Sequence, residues 1–325
     1  MTNEVYAGKY TTTTLITSDY DLSEEPPPFL VDGIIHESMT LLYGQTCSGK
    51  STIAAALAVA LANGATHFLG RKIANDGQRM TVGIVAGDPC GAREYTRRLV
   101  ETKAIGTGRI YVNEPHRPTR QETWEEVRET AEQHGWQFVI VDNLSSFVPG
   151  SLNDDVSVKM FYQQIDAFPR NGIPVLVVAH TSDKWSDRGP SRIPMGSSLI
   201  RFGPRWWCNA YRSGGYLQLE YDGNEGTPHR ITVNEPNGVP SFDVVRTADS
   251  TEMRGQRRNV ETMAKRAEFR EYVLAECQSL NGQQTAERLA ERLGGSVSTH
   301  KTLLSRGGYG VRRENGRWVR TLQAV

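Results

Sequence analysis

MTLLYGQTCSGKSTIAAALAVALA, residues 39–62, is the stretch that decides the fold. Its opening run, Met39–Tyr43, is apolar, has the length of a buried strand and stops at Gly44. Gly44–Ser51 matches the pattern G-x-x-x-x-G-K-[ST]. Thr52–Ala62 is rich in Ala and Leu, strong helix formers, and halts near Asn63-Gly64. Strand, glycine loop and helix in this order make a phosphate-binding loop. The glycines let backbone N–H groups curl around an anion, and the helix N-terminus adds partial positive charge. Gly44, Gln45, Thr46, Cys47, Ser48, Gly49, Lys50, Ser51 and Thr52 are therefore expected to bind a nucleotide. Lys50 is expected to neutralise the β- and γ-phosphates and the Ser51 hydroxyl to ligate Mg²⁺, so that ATP and Mg²⁺ are the expected cofactors.

Further strands alternate with helices on the C-terminal side of the loop. Val82–Ala86 (VGIVA), Ile110–Val112, Phe138–Val141 (FVIV) and Pro174–Ala179 (PVLVVA) read as strands; Ala92–Lys103, Glu122–His134 and Val156–Phe168 read as helices. Short, wholly apolar strands between helices predict an α/β fold with a mostly parallel sheet covered on both faces. Cys208–Val245 turns to polar alternation with glycine-rich turns, as antiparallel strands at a sheet edge do. Asp142 closes the strand FVIV, where a carboxylate can hold Mg²⁺ through its water shell. His180 closes the next strand and is a candidate γ-phosphate sensor, the alternative being a satisfied histidine at a sheet rim. Lys184–Met195 has no periodicity and is charged; Lys184 and Arg188 are candidates to touch DNA from a loop. Trp206 and Trp207 read as core or subunit interface before a base-stacking platform.

The formal net charge is zero, but the charge is unevenly spread. From Thr251 onward there are 14 Lys and Arg against 8 Asp and Glu, leaving an acidic body and a basic tail. The polar stretch 247–262 reads as a linker between a core over 29–246 and a small domain over 263–325, with an N-terminal arm over 1–28. Ala264–Leu280, Thr285–Leu293 and Ser298–Leu304 read as helices, and Tyr309–Arg320 as a hairpin around Asn315-Gly316. Three helices and a hairpin form the pattern of a winged helix-turn-helix domain. Its recognition helix would present Ser298, Thr299, Lys301 and Thr302, and its wing Arg312, Arg313 and Arg317 beside Trp318. No stretch approaches the roughly 18 apolar residues of a membrane span. The N-terminus lacks a basic segment followed by an apolar core, and Cys47, Cys90, Cys208 and Cys277 lie far apart, so a cytoplasmic protein with reduced thiols is expected.

The segments FLVDGIIHESMTLLYGQTCSGKST, HFLGRKI, VGIVAGDP with REYTRRL, FVIVDNLSSFVPGSLNDD, PVLVVAHTSDK and MGSSLI follow one another over roughly residues 29–200. In this order they resemble the RecA-like P-loop ATPases that include RepA-type hexameric replicative helicases and related phage replication ATPases. The resemblance implies a RecA-like core, ATP bound between neighbours in a ring or filament, and single-stranded or forked DNA as partner. It implies an ATP-dependent DNA motor or loader of phage or plasmid replication or recombination. The alternatives are a RecA-like strand-annealing or strand-exchange protein, and an ATP-gated DNA-binding protein with weak or no hydrolysis. Two positions depart from the family pattern. Gly87 stands where a water-orienting Glu is expected, leaving Asp88 or Glu94 to substitute, so that hydrolysis is expected to be slow. Val233–Gly238 lacks the basic residue that reaches a neighbour's γ-phosphate, leaving Arg205 or Arg212 as candidates.

Overall fold

The computed structural model describes residues 5–7, 12–14, 28–101, 109–181, 185–186, 189–190, 193–234, 242–294, 296–307 and 309–321. The chain divides into two compact units, Met1–Asp249 and Ser250–Val325.

The first unit is built on a nine-stranded sheet. In chain order its strands are β1 (Met39–Gly44), β2 (Val82–Ala86), β3 (Ile110–Asn113), β4 (Phe138–Asp142), β5 (Val175–His180), β6 (Trp206–Ser213), β7 (Tyr216–Gly223), β8 (His229–Asn234) and β9 (Asp243–Asp249). Their spatial order is β9-β8-β7-β6-β1-β5-β4-β2-β3. The pairs from β6 to β3 are parallel, and β7, β8 and β9 extend the sheet antiparallel. The expected antiparallel edge is thus corrected at its first strand, because β6 pairs parallel with β1 on its inner side. A polar alternation reports one solvated face, but not the direction of the neighbouring strand.

Four helices cover the parallel half: α1 (Lys50–Ala62), α2 (Gly91–Glu101), α3 (Gln121–His134) and α4 (Asp155–Ile165). One core joins Ile53, Leu57 and Leu61 of α1 and Leu99 of α2 to Ile84, Ile140, Leu176 and Val178. The other joins Trp124 and Val127 of α3 and Phe161 and Ile165 of α4 to Val85, Val139, Val141 and Val177. Neighbouring strand residues such as Ile84 and Val85 therefore serve opposite faces, which is why these strands are apolar throughout. Each such side chain, once fully buried, contributes roughly 1.5–3 kcal/mol. Trp206 and Trp207 are both buried, on opposite faces; Trp206 packs edge-on against Phe29, and the Arg201 guanidinium lies 4.6 Å from the Trp207 ring centroid.

The register places the functional strand ends together. Gly44 pairs with His180, and Asp142 pairs with Val178 on one side and Ala86 on the other. One strand, β5, separates the phosphate-loop strand from the Asp142 strand.

The second unit contains α5 (Ser250–Glu276), α6 (Gly282–Leu293), α7 (Val297–Ser305) and the hairpin β10 (Val311–Glu314) and β11 (Arg317–Arg320). Val273, Cys277, Ala286, Leu289, Leu304, Val311 and Trp318 form its core. Asn281 closes a capping box on α6 with Gln284. Asn315 (φ 48°) and Gly316 (φ 81°) both take left-handed conformations, as a two-residue hairpin turn requires. His300 is satisfied on both ring nitrogens, by the Tyr309 hydroxyl at 2.6 Å and the Gly294 carbonyl at 2.8 Å. The stretch read as a linker, 247–262, is instead the end of β9 and the first half of α5. Glu, Met, Arg and Gln after Ser250 favour a helix, and an amphipathic period is not needed for one. Among the described residues, no helix is long and apolar enough to cross a membrane.

Candidate nucleotide site

The site is built at the carboxyl edge of β1, β5, β4 and β2, the end of a parallel sheet where ligands bind. β1 ends at Gly44, where a Cβ would stand 2.1 Å from the Ala210 carbonyl oxygen of β6. Glycine alone lets the chain turn there. Cys47 (φ 61°) and Gly49 (φ 101°) are left-handed, and α1 starts at Lys50. The loop thereby turns its backbone toward a cleft of about 400 Å³, with the N-terminus of α1 at its base.

Lys50 is buried, and its ammonium donates to the carbonyls of Gly44 (3.0 Å) and Gln45 (2.7 Å). Its Nζ lies 3.4 Å from His180 Nδ1. The Ser48 hydroxyl is buried without a hydrogen-bond partner. An unmet buried hydroxyl costs about 1–3 kcal/mol, and an oxyanion in the cleft is the kind of group that would meet it. This orphaned hydroxyl, the Gly44 turn and the buried Lys50 fit a nucleotide phosphate. Ser51 and Asp142 both line this cleft and form an oxygen-only set of the hard type that suits Mg²⁺.

Asp142 ends β4 in buried surroundings. Burial pushes its carboxyl above the usual carboxylate range, against the opposing pull of hydrogen bonds from Tyr95 and Ser51 and of the Lys50 charge. Tyr95 donates to Asp142 Oδ2 at 2.6 Å. Burial and the neighbouring Asp142 carboxylate push the Tyr95 hydroxyl well above its ordinary value, so it remains a proton donor.

The turn after β2 leaves no room for a side chain at position 87. A Cβ on Gly87 would stand 2.6 Å from Cε2 of Phe147 and 2.8 Å from Cβ of Ser146. Asp88 is engaged on both oxygens, by Asn143 Nδ2 (2.6 Å) and the Ser146 hydroxyl (2.5 Å). Glu94 lines the cleft from α2 and accepts from Arg98 at 2.7 Å. Gly91, Glu94, Tyr95 and Arg98 all reach the cleft from α2. Their spacing of three and four residues marks one helix face, a signal in the sequence by which Tyr95 and Arg98 were findable. Glu114 carried no such signal. Its carboxylate, just past β3, accepts from the backbone N–H groups of Cys90 (3.4 Å) and Ala92 (3.0 Å) and so caps α2 from across the chain.

The two arginine candidates separate. Arg205 precedes β6, at the amino edge of the parallel strands and away from the loop. It pairs there with Glu225 at 3.2 Å, whose other oxygen meets His36 Nε2 at 2.9 Å. The His36 hydrogen bond, with the charge of Arg205, holds the Glu225 carboxyl below its ordinary value. Arg212 lies beyond Ala210 at the carboxyl edge and lines the cleft of its own chain. Lys184 and Arg188 lie outside the described residues.

In the second unit, Thr299 sits in the first turn of α7, its N–H bonded to the capping Ser296 hydroxyl. Lys301 is exposed on the same helix. Arg312 pairs with Glu314 at 2.6 Å, Arg313 donates to the Gly316 carbonyl, and Arg317 is exposed on β11. Trp318 turns inward, its indole N–H donating to the Thr285 hydroxyl at 3.1 Å.

A family model described as an AAA domain matches residues 9–184, more than half of the chain. Among solved structures, a KaiC-like protein from the hyperthermophilic archaeon Pyrococcus horikoshii OT3 is 14% identical, with 67% of this chain and 94% of that one covered and a TM-score of 0.45. The RadB recombinase is 15% identical, with 62% and 89% covered and a TM-score of 0.44. No curated protein matches the sequence. With the phosphate loop, its carboxylate and the strand ends that hold them within the matched residues, the chain belongs to the AAA domain family.

Proposed function

We propose that the protein is a RecA-like ATPase that drives or loads a DNA-processing assembly in replication or recombination, of the kind found in phages and plasmids. The observation that supports this most is the meeting of Lys50, Ser51, Asp142 and His180 in one cleft at the end of a parallel sheet. Lys50 would exchange the Gly44 and Gln45 carbonyls for β- and γ-phosphate oxygens. Mg²⁺, held by the Ser51 hydroxyl and through water by Asp142, would neutralise charge on those oxygens. His180, beside Lys50, would sense the γ-phosphate and pass its state to the segment that follows. Asp88 would orient the attacking water, with Glu94 as the second candidate. The second unit would act as a winged helix and hold DNA through Thr299, Lys301, Arg312, Arg313 and Arg317. The active assembly would be a ring or filament of this chain, with Arg212 or Arg205 reaching a neighbour.

A second reading, an ATP-gated DNA-binding protein with little turnover, is favoured by Gly87. No side chain fits there, and the adjacent Asp88 is held on both oxygens.

The deciding measurement is ATP hydrolysis with and without single-stranded DNA, beside Lys50→Ala. The motor reading expects DNA-stimulated turnover that falls about 100-fold or more in the variant, the scale of losing a phosphate-stabilising charge. Tight ATP binding without turnover would select the gated binder. Annealing without unwinding of a forked duplex would select a recombinase. Arg317→Ala is expected to weaken DNA binding to a similar degree across sequences and to lower the salt slope by about one, as loss of one phosphate contact does. An unchanged slope in a salt titration would remove Arg317 from the DNA interface.

A further inference from the structure

α2 lays Tyr95 across the floor of the nucleotide cleft. The ring is 3% exposed and packs with the core that joins α1, α2 and the sheet. A phenylalanine would satisfy that packing. The hydroxyl requires a polar partner, because an unbonded hydroxyl in such surroundings costs several kcal/mol, about 1–3 on protein mutational scales. Its partner is Asp142, to whose Oδ2 it donates at 2.6 Å. Ser51 and Asp142, the two groups best suited to the metal of a bound nucleotide, line the same cleft as Tyr95.

This contact has a directional consequence. Oδ2 of Asp142 is committed to Tyr95, so the carboxylate is held in one rotation and Oδ1 is the oxygen that would face the water shell of a metal bound beside Ser51. Without the phenol, Oδ2 would lose the contact that holds the carboxylate in that rotation.

On the nucleotide-binding reading above, we propose that Tyr95 is a positioning residue for Mg²⁺, orienting Asp142 so that the metal enters with the nucleotide. Tyr95 would act through that side chain and not on the metal itself.

The test is Tyr95→Phe, followed by binding of a fluorescent ATP analogue across a Mg²⁺ titration and again in EDTA. The Mg²⁺ concentration at half-maximal binding is expected to rise about 10-fold or more, the usual effect of removing an outer-shell hydrogen bond at a metal site. Binding in EDTA is expected to stay near wild type, and the melting temperature of the nucleotide-free protein to fall by only a few degrees, the cost of about 1–3 kcal/mol for leaving the buried Asp142 oxygen without its donor while the ring still packs. In the Asp142→Asn background the Tyr95→Phe change is expected to add less than twofold, because the two act as a unit. A Mg²⁺ midpoint within twofold of wild type, or full additivity with Asp142→Asn, overturns the assignment. A wild-type protein that binds no nucleotide with or without Mg²⁺, indistinguishable from Lys50→Ala, overturns the nucleotide reading, and this assignment falls with it. A Tyr95→Phe protein that also loses EDTA binding and stability would make Tyr95 structural, which overturns the assignment too.

Discussion

Asparagine in place of Asp142 is expected to stop metal-dependent ATP turnover and, in the same molecule, to make the nucleotide-free protein more stable. The first effect follows from the loss of the charge that would hold the metal, on the order of 100-fold or more in turnover. The second follows from the direction of the Asp142 shift. Burial sets its folded pKa above its unfolded value. Between those two values the native state binds more protons than the unfolded chain, so stability falls as pH rises through the window. At neutral pH the ionised carboxylate is therefore carried at a cost, which bound Mg²⁺ would offset. Asparagine removes the charge and keeps an acceptor oxygen for Tyr95. Thermal unfolding over a pH series should show Asp142→Asn above wild type at neutral pH, with the gap closing as the pH drops below the carboxylate range. A variant less stable than wild type at neutral pH would mean that the Tyr95 and Ser51 hydrogen bonds and the Lys50 charge outweigh the burial of the carboxylate.

Gly87→Glu, the change that restores the residue expected from the family pattern, is expected to damage the protein rather than to activate it. Its Cβ would stand 2.6 Å from Phe147. That ring is fully buried and cannot swing aside, since Trp124 lies 5.1 Å and Phe161 6.3 Å from it between ring centroids. Forcing atoms into a packed core costs about 1–3 kcal/mol, and the carboxylate adds a charge beside Asp88 and Asp142. A unit of this size loses roughly 2–4 °C of melting temperature per kcal/mol. The expected result is a lowered melting temperature and turnover no higher than wild type. Faster hydrolysis at an unchanged melting temperature would show that the turn after β2 moves to admit the side chain.

The phosphate loop was legible because it is contiguous. Strand, turn and helix occupy one stretch, and Gly44, Lys50 and Ser51 mean the same thing in any fold that keeps that order. Asp142 and His180 were legible for a related reason, since a polar residue that ends an apolar strand has to come out at the sheet edge. What joins them was not legible. β5 lies between the two motif strands, and that follows from how the chain crosses over, not from any local pattern. Glu114 reaches α2 from 22 residues away. The filled space beside Gly87 belongs to Phe147, whose ring position is fixed by helices elsewhere in the chain. Residues 247–262 misled for the opposite reason, because a helix can form from propensity alone where the polar pattern suggests none.

The aromatic cluster of Trp124, Phe147 and Phe161 has a consequence for the history of the chain. With a glycine at 87, the bulky Phe147 ring sits over that position at no cost. A lineage that acquired a glutamate there would need a smaller residue at 147 beforehand, and that intermediate leaves a cavity costing about 3–5 kcal/mol. Each single step is unfavourable where the pair together is tolerable. Selection for faster hydrolysis would then find another carboxylate, such as one on α2, sooner than it would find position 87.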